Sequence, residues 1–150
     1  MARVAMVIQR YLPHVGGAER QLQQLAPRLK DLGYDLHILT RHEKGLRRFE
    51  VIDGVPVHRL PASGPKPLAA ATFTLAALWR LLRLRPDVIH AHEILTPASI
   101  ALYAMALLHR PILVKILRGG ARGDIYKLKK RPFWKSYLRR LIKGGTARPG

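Results

Sequence analysis

Three short stretches of this 150-residue chain hold residue types that can do chemistry. The first is Pro13-His14-Val15-Gly16-Gly17-Ala18-Glu19, between the apolar run Val4 to Ile8 and a helical pattern. Gly16 and Gly17 carry no Cβ, so bare backbone there can approach a ligand. The helix that follows offers unpaired N–H groups and the positive end of its dipole, which together favour a phosphate. The alternative is a plain tight turn, and the Gly-x-Gly-x-x-Gly dinucleotide fingerprint is absent. The second stretch, His90-Ala91-His92-Glu93, closes an apolar run. Histidines two apart share one side of extended backbone, while Glu93 points away. With no clear third ligand, the pair suits a hydrogen bond to a ligand hydroxyl, or a structural role, better than a metal. The third, Arg118-Gly119-Gly120-Ala121-Arg122-Gly123-Asp124, is a glycine-rich loop flanked by guanidinium groups. It can wrap an anionic or hydroxylated ligand, or serve only as a connection. No Gly-x-Ser-x-Gly elbow is present to support a serine nucleophile.

The elements between these stretches alternate in type. Arg3 to Gln9 reads as a buried parallel strand. Ala18 to Leu32 is an amphipathic helix, with Leu22, Leu25, Ala26 and Leu29 on one face, Gly33 as its stop and a kink expected at Pro27. Tyr34 to Thr40 is the second strand. Val51 to Leu60 contains Asp53-Gly54, a turn signal, and reads as a short strand or hairpin. Leu68 to Leu84 is an apolar helix stopped by Pro86, and Asp87 to Ala91 is the next strand. Pro97 to His109 is a buried helix, Ile112 to Leu117 a strand, and about Ile125 to Ile142 a basic helix divided by Pro132. This order predicts an α/β fold with a Rossmann-like parallel sheet and helices on both faces. Ligands of such sheets sit at the carboxyl ends of the strands, where all three stretches fall. The tail 144–150 has no apolar anchor and is expected to be disordered.

Charge narrows the partners. The chain carries 27 Lys and Arg against 9 Asp and Glu, a net +18, and no cysteine. From Arg110 onward 13 basic residues face one acid, Asp124. Lys127, Lys129, Lys130, Arg131, Lys135, Arg139 and Arg140, mixed with aromatic and aliphatic residues, form a patch suited to an anionic surface. A non-catalytic basic module for membrane or nucleic acid is the competing reading, but no helix-turn-helix, RNP or zinc-knuckle pattern supports nucleic acid. An NAD-dependent oxidoreductase lacks both the fingerprint and the acid expected after the second strand. The longest nearly uncharged stretch, Pro67 to Trp79, is shorter than a bilayer-spanning helix. A soluble or surface-bound protein is expected.

With these residues in order, the chain resembles a known family. Pro13 to Glu19, Leu32-Gly33-Tyr34-Asp35-Leu36, Gly54-Val55-Pro56-Val57-His58-Arg59-Leu60 and Arg85-Pro86-Asp87-Val88-Ile89-His90-Ala91-His92 are similar to the amino-terminal domain of GT-B-fold, family 4 retaining glycosyltransferases. The resemblance runs from about residue 3 to 143. It implies an amino-terminal, acceptor-side half that works with a nucleotide-sugar as substrate and no further cofactor or metal. Gly16 and Gly17 would then lie against the donor diphosphate, and His92, Glu93, Arg118, Gly119, Gly120 and Asp124 would line the acceptor cleft. Relatives often carry a histidine in the loop after the strand that follows Pro111. Here Arg118-Gly119-Gly120 stands instead, so no catalytic histidine is carried over. The family's donor-binding domain and the last strands of its first domain have no counterpart in this sequence, so the resemblance implies an incomplete domain at 1–143 and weak or absent transfer by this chain alone. The implied partners are a glycan or lipid-linked acceptor, a donor-domain subunit and an anionic membrane surface, in the cytoplasm or peripherally on the inner face of the membrane.

Overall fold

A computed structural model describes residues 2–93 and 96–115, together with positions 132, 135, 136 and 139. The loop Arg118 to Asp124, the basic residues Lys127, Lys129, Lys130, Arg131 and Arg140, and the 144–150 tail lie outside the described residues. Lys135 and Arg139 are described and exposed.

The chain runs β1 (Arg3–Val7), α1 (Gly17–Asp31), β2 (Asp35–Arg41), β3 (Phe49–Ile52), β4 (Val55–Leu60), α2 (Lys66–Leu84), β5 (Val88–Ala91), α3 (Thr96–Leu108) and β6 (Ile112–Val114). These strands form one sheet in the order β3-β4-β2-β1-β5-β6. All neighbouring strands are parallel except β3, which pairs antiparallel with β4. The expected α/β layering is present, and the strand period of two explains it. Val4, Met6 and Ile8 pack with Leu22 and Ala26 of α1. Ala5 and Val7 point the other way, into a core with Phe73, Ala77 and Leu81 of α2 and Ile100, Ala101 and Ala104 of α3. Helices therefore cover both faces. Phe73 is fully buried, and taking its ring out of water contributes about 2–3 kcal/mol.

The described ends of β6 and α2 differ from expectation, while α1 and the β3–β4 turn form where expected. The helical assignment of α1 continues through Pro27, anchored on the sheet by the buried Leu22 and Ala26. Asp53 and Gly54 both take positive φ, 52° and 77°, so this dipeptide makes the two-residue turn of a true β3–β4 hairpin. The sixth strand is Ile112–Val114, with Lys115 outside it; Leu117, its expected end, lies outside the described residues. Helix α2 begins at Lys66 and has 19 residues, long and apolar enough to cross a membrane by length and composition.

Candidate functional site

The strand order sets a crevice. From β1 the chain moves through α1 to β2 on one side, and from β4 it returns through α2 to β5 on the other side of β1. Connections thus diverge above the carboxyl ends of β1 and β5, the place where open α/β sheets receive ligands. The glycine turn leaves β1 there, and His92 leaves β5 there. The two are stitched together, since the His92 N–H donates to the Val7 carbonyl at 3.0 Å. Lys115, just past β6, extends the same rim by donating its N–H to the Ala91 carbonyl at 2.8 Å.

Gly16 is the N-cap of α1, in extended backbone with no side-chain capping bond, and Gly17 is the first helical residue. Beyond its chain neighbours and its own helix backbone, a Cβ on Gly17 would meet nothing within 4 Å among the described residues. Open space lies in front of it, at the positive end of the helix. A Cβ on Gly16 would meet the Glu19 carboxylate at 2.6 Å, so that acid lies across the N-cap. An acid in the first turn suits the helix dipole, and an incoming anion would have to compete with it.

His90 and His92 follow the face of Met6, because Met6 pairs in register with His90. Their rings lie 4.0 Å apart between centroids. His92 is fully buried and His90 nearly so, rather than lining an open cleft. Nε2 of His90 and both ring nitrogens of His92 are buried without a hydrogen-bond partner among the described residues. Loss of water pushes the His90 ring down to about 4, helped by the Lys115 charge. The same burial, with His90 and Lys115 nearby, takes His92 down to about 3. Both rings are therefore neutral at ordinary pH, each with one donor and one acceptor nitrogen. Glu93 is half-buried beside them. Among the described residues no three His, Asp or Glu side chains gather as a metal site would require.

The residues that hold the glycine turn were not among the expected site residues. Arg59, 3% exposed, donates from Nη2 to the Leu12 carbonyl at 2.9 Å and from Nη1 to the Arg47 carbonyl at 3.0 Å. Its charge is met by Glu50, 2.6 Å away. Glu43, beyond β2, reaches His14 Nε2 at 2.5 Å and Arg10 Nε at 3.5 Å. Tyr11 is buried, and desolvation, with Asp53 nearby, pushes its phenol up to about 12. The turn is thereby fixed from three sides before any ligand arrives. One signal for Arg59 was in the sequence: alternation puts it on the side of Val55 and Val57, a charge in an apolar register.

A second polar cluster lies away from the rim, between the sheet and α2. His37 Nδ1 and His58 Nε2 are 3.1 Å apart, and His37 Nε2 is 3.3 Å from Asp35. Asp35 accepts a hydrogen bond from Arg3 Nε at 2.7 Å, which holds its carboxyl below the usual range. Burial lowers His37, and burial together with Arg80 takes His58 down to about 4.

The comparisons with known proteins agree with this fold. Sucrose-phosphate synthase from Thermosynechococcus elongatus superposes with a TM-score of 0.68 at 17% identity, over 99% of this chain and 47% of that one. MurG from Acinetobacter baumannii gives 0.54 at 16% identity, over 76% of this chain and 35% of that one. The chain thus spans about half the length, or less, of these two solved structures. No curated protein matches the sequence. A family model described as a glycosyl transferase 4-like domain matches residues 16–148. That match takes in most of the chain, including the glycine pair and the histidine strand, and the chain belongs to the glycosyl transferase 4-like domain family.

Proposed function

We propose that this domain is the acceptor-side half of a nucleotide-sugar-dependent glycosyltransferase. The observation that carries the reading is the crevice of β1 and β5, where a helix N-terminus open at Gly17 meets two neutral histidines whose buried His90 Nε2 and His92 ring nitrogens have no partner among the described residues. In this reading the donor diphosphate rests against Gly16 and Gly17, where backbone N–H groups and the helix dipole offset its charge. An acceptor hydroxyl, on a glycan or a lipid-linked glycan, lies towards His92 and Glu93. In transfer, the anomeric carbon parts from the diphosphate, which leaves with the bonding electrons. The acceptor oxygen bonds to that carbon and passes its proton to an oxygen of the departing diphosphate. A ring held neutral down to about pH 3 is a poor base, so His92 orients a hydroxyl rather than deprotonating it. Because His92 is fully buried, that contact requires neighbouring side chains to move aside.

The donor base and sugar would be held by a second domain, in the remainder of a longer protein or in a partner subunit. Catalysis needs both substrates in one geometry, so this half alone should transfer sugar slowly or not at all. Work on polysaccharide or lipid-linked glycan at the inner face of the membrane fits the basic residues of the last quarter, Lys135 and Arg139 among them. The test is an amide NMR titration of the chain with UDP- and GDP-sugars, with NAD as the comparison. Shifts confined to Gly16, Gly17 and the His90 to Glu93 segment are expected for a nucleotide-sugar. Shifts for NAD alone, or none at the rim, would refute the reading.

A further inference from the structure

We propose that the outer faces of α2 and α3 form a docking surface for an anionic lipid bilayer, separate from the basic segment beyond residue 126. Helix α2 buries Ala69, Phe73, Ala77 and Leu81 against the sheet. On the opposite side it exposes Leu68, Leu75, Trp79 and Leu82, at 56%, 69%, 54% and 44%. At 3.6 residues per turn these four fall within an arc of about 60°. The helix therefore has two apolar faces, and the sheet accounts for only one. Helix α3 packs on the same sheet face and adds exposed Tyr103 and Leu107 on its outward side. Contiguous exposure of that kind marks an interaction surface on a folded domain.

Charge selects the occupant. No Asp or Glu occurs from residue 54 to 86 or from 94 to 123, so neither helix carries an acid. Cations frame the stripe: Lys66 and Arg85 at the two ends of α2 are exposed, as is Arg83. The Arg83 guanidinium lies 4.7 Å over the Trp79 ring and that of Arg80 lies 5.8 Å away. An amphipathic indole flanked by guanidinium groups suits the headgroup level of a bilayer, with leucines below it and cations meeting lipid phosphates. A second copy fits poorly, because two chains of net +18 would bring like charges together. The helix lies on the bilayer rather than crossing it. Crossing would strip Phe73, Ala77 and Leu81 from the sheet and expose the core beneath. Both helices begin at the rim that carries the glycine turn and His92, so docking by this face sets the crevice alongside the bilayer.

The experiment uses the full chain with Trp134→Phe, which leaves Trp79 as the sole indole. It is mixed with phosphatidylcholine vesicles containing or lacking phosphatidylglycerol. The expected result is a blue shift of Trp79 emission and its quenching by brominated acyl chains, on anionic vesicles only. Leu75→Glu and, read by co-sedimentation, Trp79→Ser should each weaken binding about tenfold or more, since a charge or hydroxyl replaces apolar surface entering the interface. Both positions are more than half exposed, so folding, checked by circular dichroism, should be kept. Vesicle binding with Trp79 unshifted and unquenched would assign attachment to the basic segment alone and overturn the proposal. So would equal binding to neutral vesicles, no binding, or a blue-shifted Trp79 in a dimer without lipid. None of these readouts depends on sugar transfer, so this proposal and the proposed function stand or fall separately.

Discussion

Replacing Gly17 by alanine separates what the turn needs for folding from what it needs for a ligand. Apart from its chain neighbours and the backbone of its own helix, nothing among the described residues comes within 4 Å of the position a Cβ would take there. Gly17 does not have the left-handed φ that restricts L side chains, and it opens the first turn of α1. Alanine should therefore fit without strain and stabilise the fold by about 0.5 kcal/mol, through the lost freedom of the unfolded chain and better helix propensity. For a domain of this size that raises the melting temperature by about 1–2 °C. A diphosphate against the same backbone would meet the new methyl group. Loss of that close approach by about 1.4 kcal/mol weakens binding roughly tenfold. The assay pairs a calorimetric melt with an NMR titration using a nucleotide diphosphate sugar. Unchanged affinity in a stable Gly17→Ala variant would show that no ligand uses this backbone. A lower melting temperature would show that the open space is filled in solution.

Other outcomes follow from the same geometry. Folded His58, His90 and His92 resist protonation down to about 4, 4 and 3, whereas the unfolded rings take up protons near 6.5. Their neutral forms are favoured by folding, so stability is full above about pH 6.5 and falls as pH drops towards 4, by up to about 1.4 kcal/mol per unit per histidine. Urea titrations between pH 7 and 4.5 should show this slope, and His92→Leu should flatten it; a parent protein equally stable at both ends would refute the burial of these rings. Arg59→Leu strands Glu50 and the Leu12 and Arg47 carbonyls, and should cost about 3 kcal/mol in denaturant unfolding. A loss below about 0.5 kcal/mol would mean that solvent already satisfies those groups. Pro27→Ala restores a hydrogen-bond donor inside α1 and should stabilise by about 1–3 kcal/mol, read as a shift of the urea midpoint; destabilisation would show that the proline ring is needed where it packs.

Much of the fold was legible because period and punctuation agreed. The apolar run at β1, the spacing of Leu22 and Ala26, and the stop at Gly33 each point to the element that forms. The dipeptide Asp53-Gly54 named its own turn. The glycine pair and the two histidines could be placed at one rim because a parallel sheet brings the ends of β1 and β5 together. The burial of His92 was not legible, since it depends on packing around the crevice. Nor was the pairing of His37 with His58, because β2 and β4 are neighbours only after β3 has folded outside them. Glu43 reads as one more surface acid until β2 sets it beside His14. The outer face of α2 was hidden for a different reason. An apolar residue looks the same in sequence whether it faces a sheet or the surroundings, and α2 has leucines on both sides.

Arg59 joins two regions that need not have met. One guanidinium grips the glycine turn through Leu12 and the β3–β4 hairpin region through Glu50 and Arg47. Where a ligand that tightens the turn also tightens the hairpin, a change in the hairpin alters affinity at the turn by the same factor. The outermost strand of the sheet thus becomes a remote lever on the crevice, reached without touching a residue that faces it.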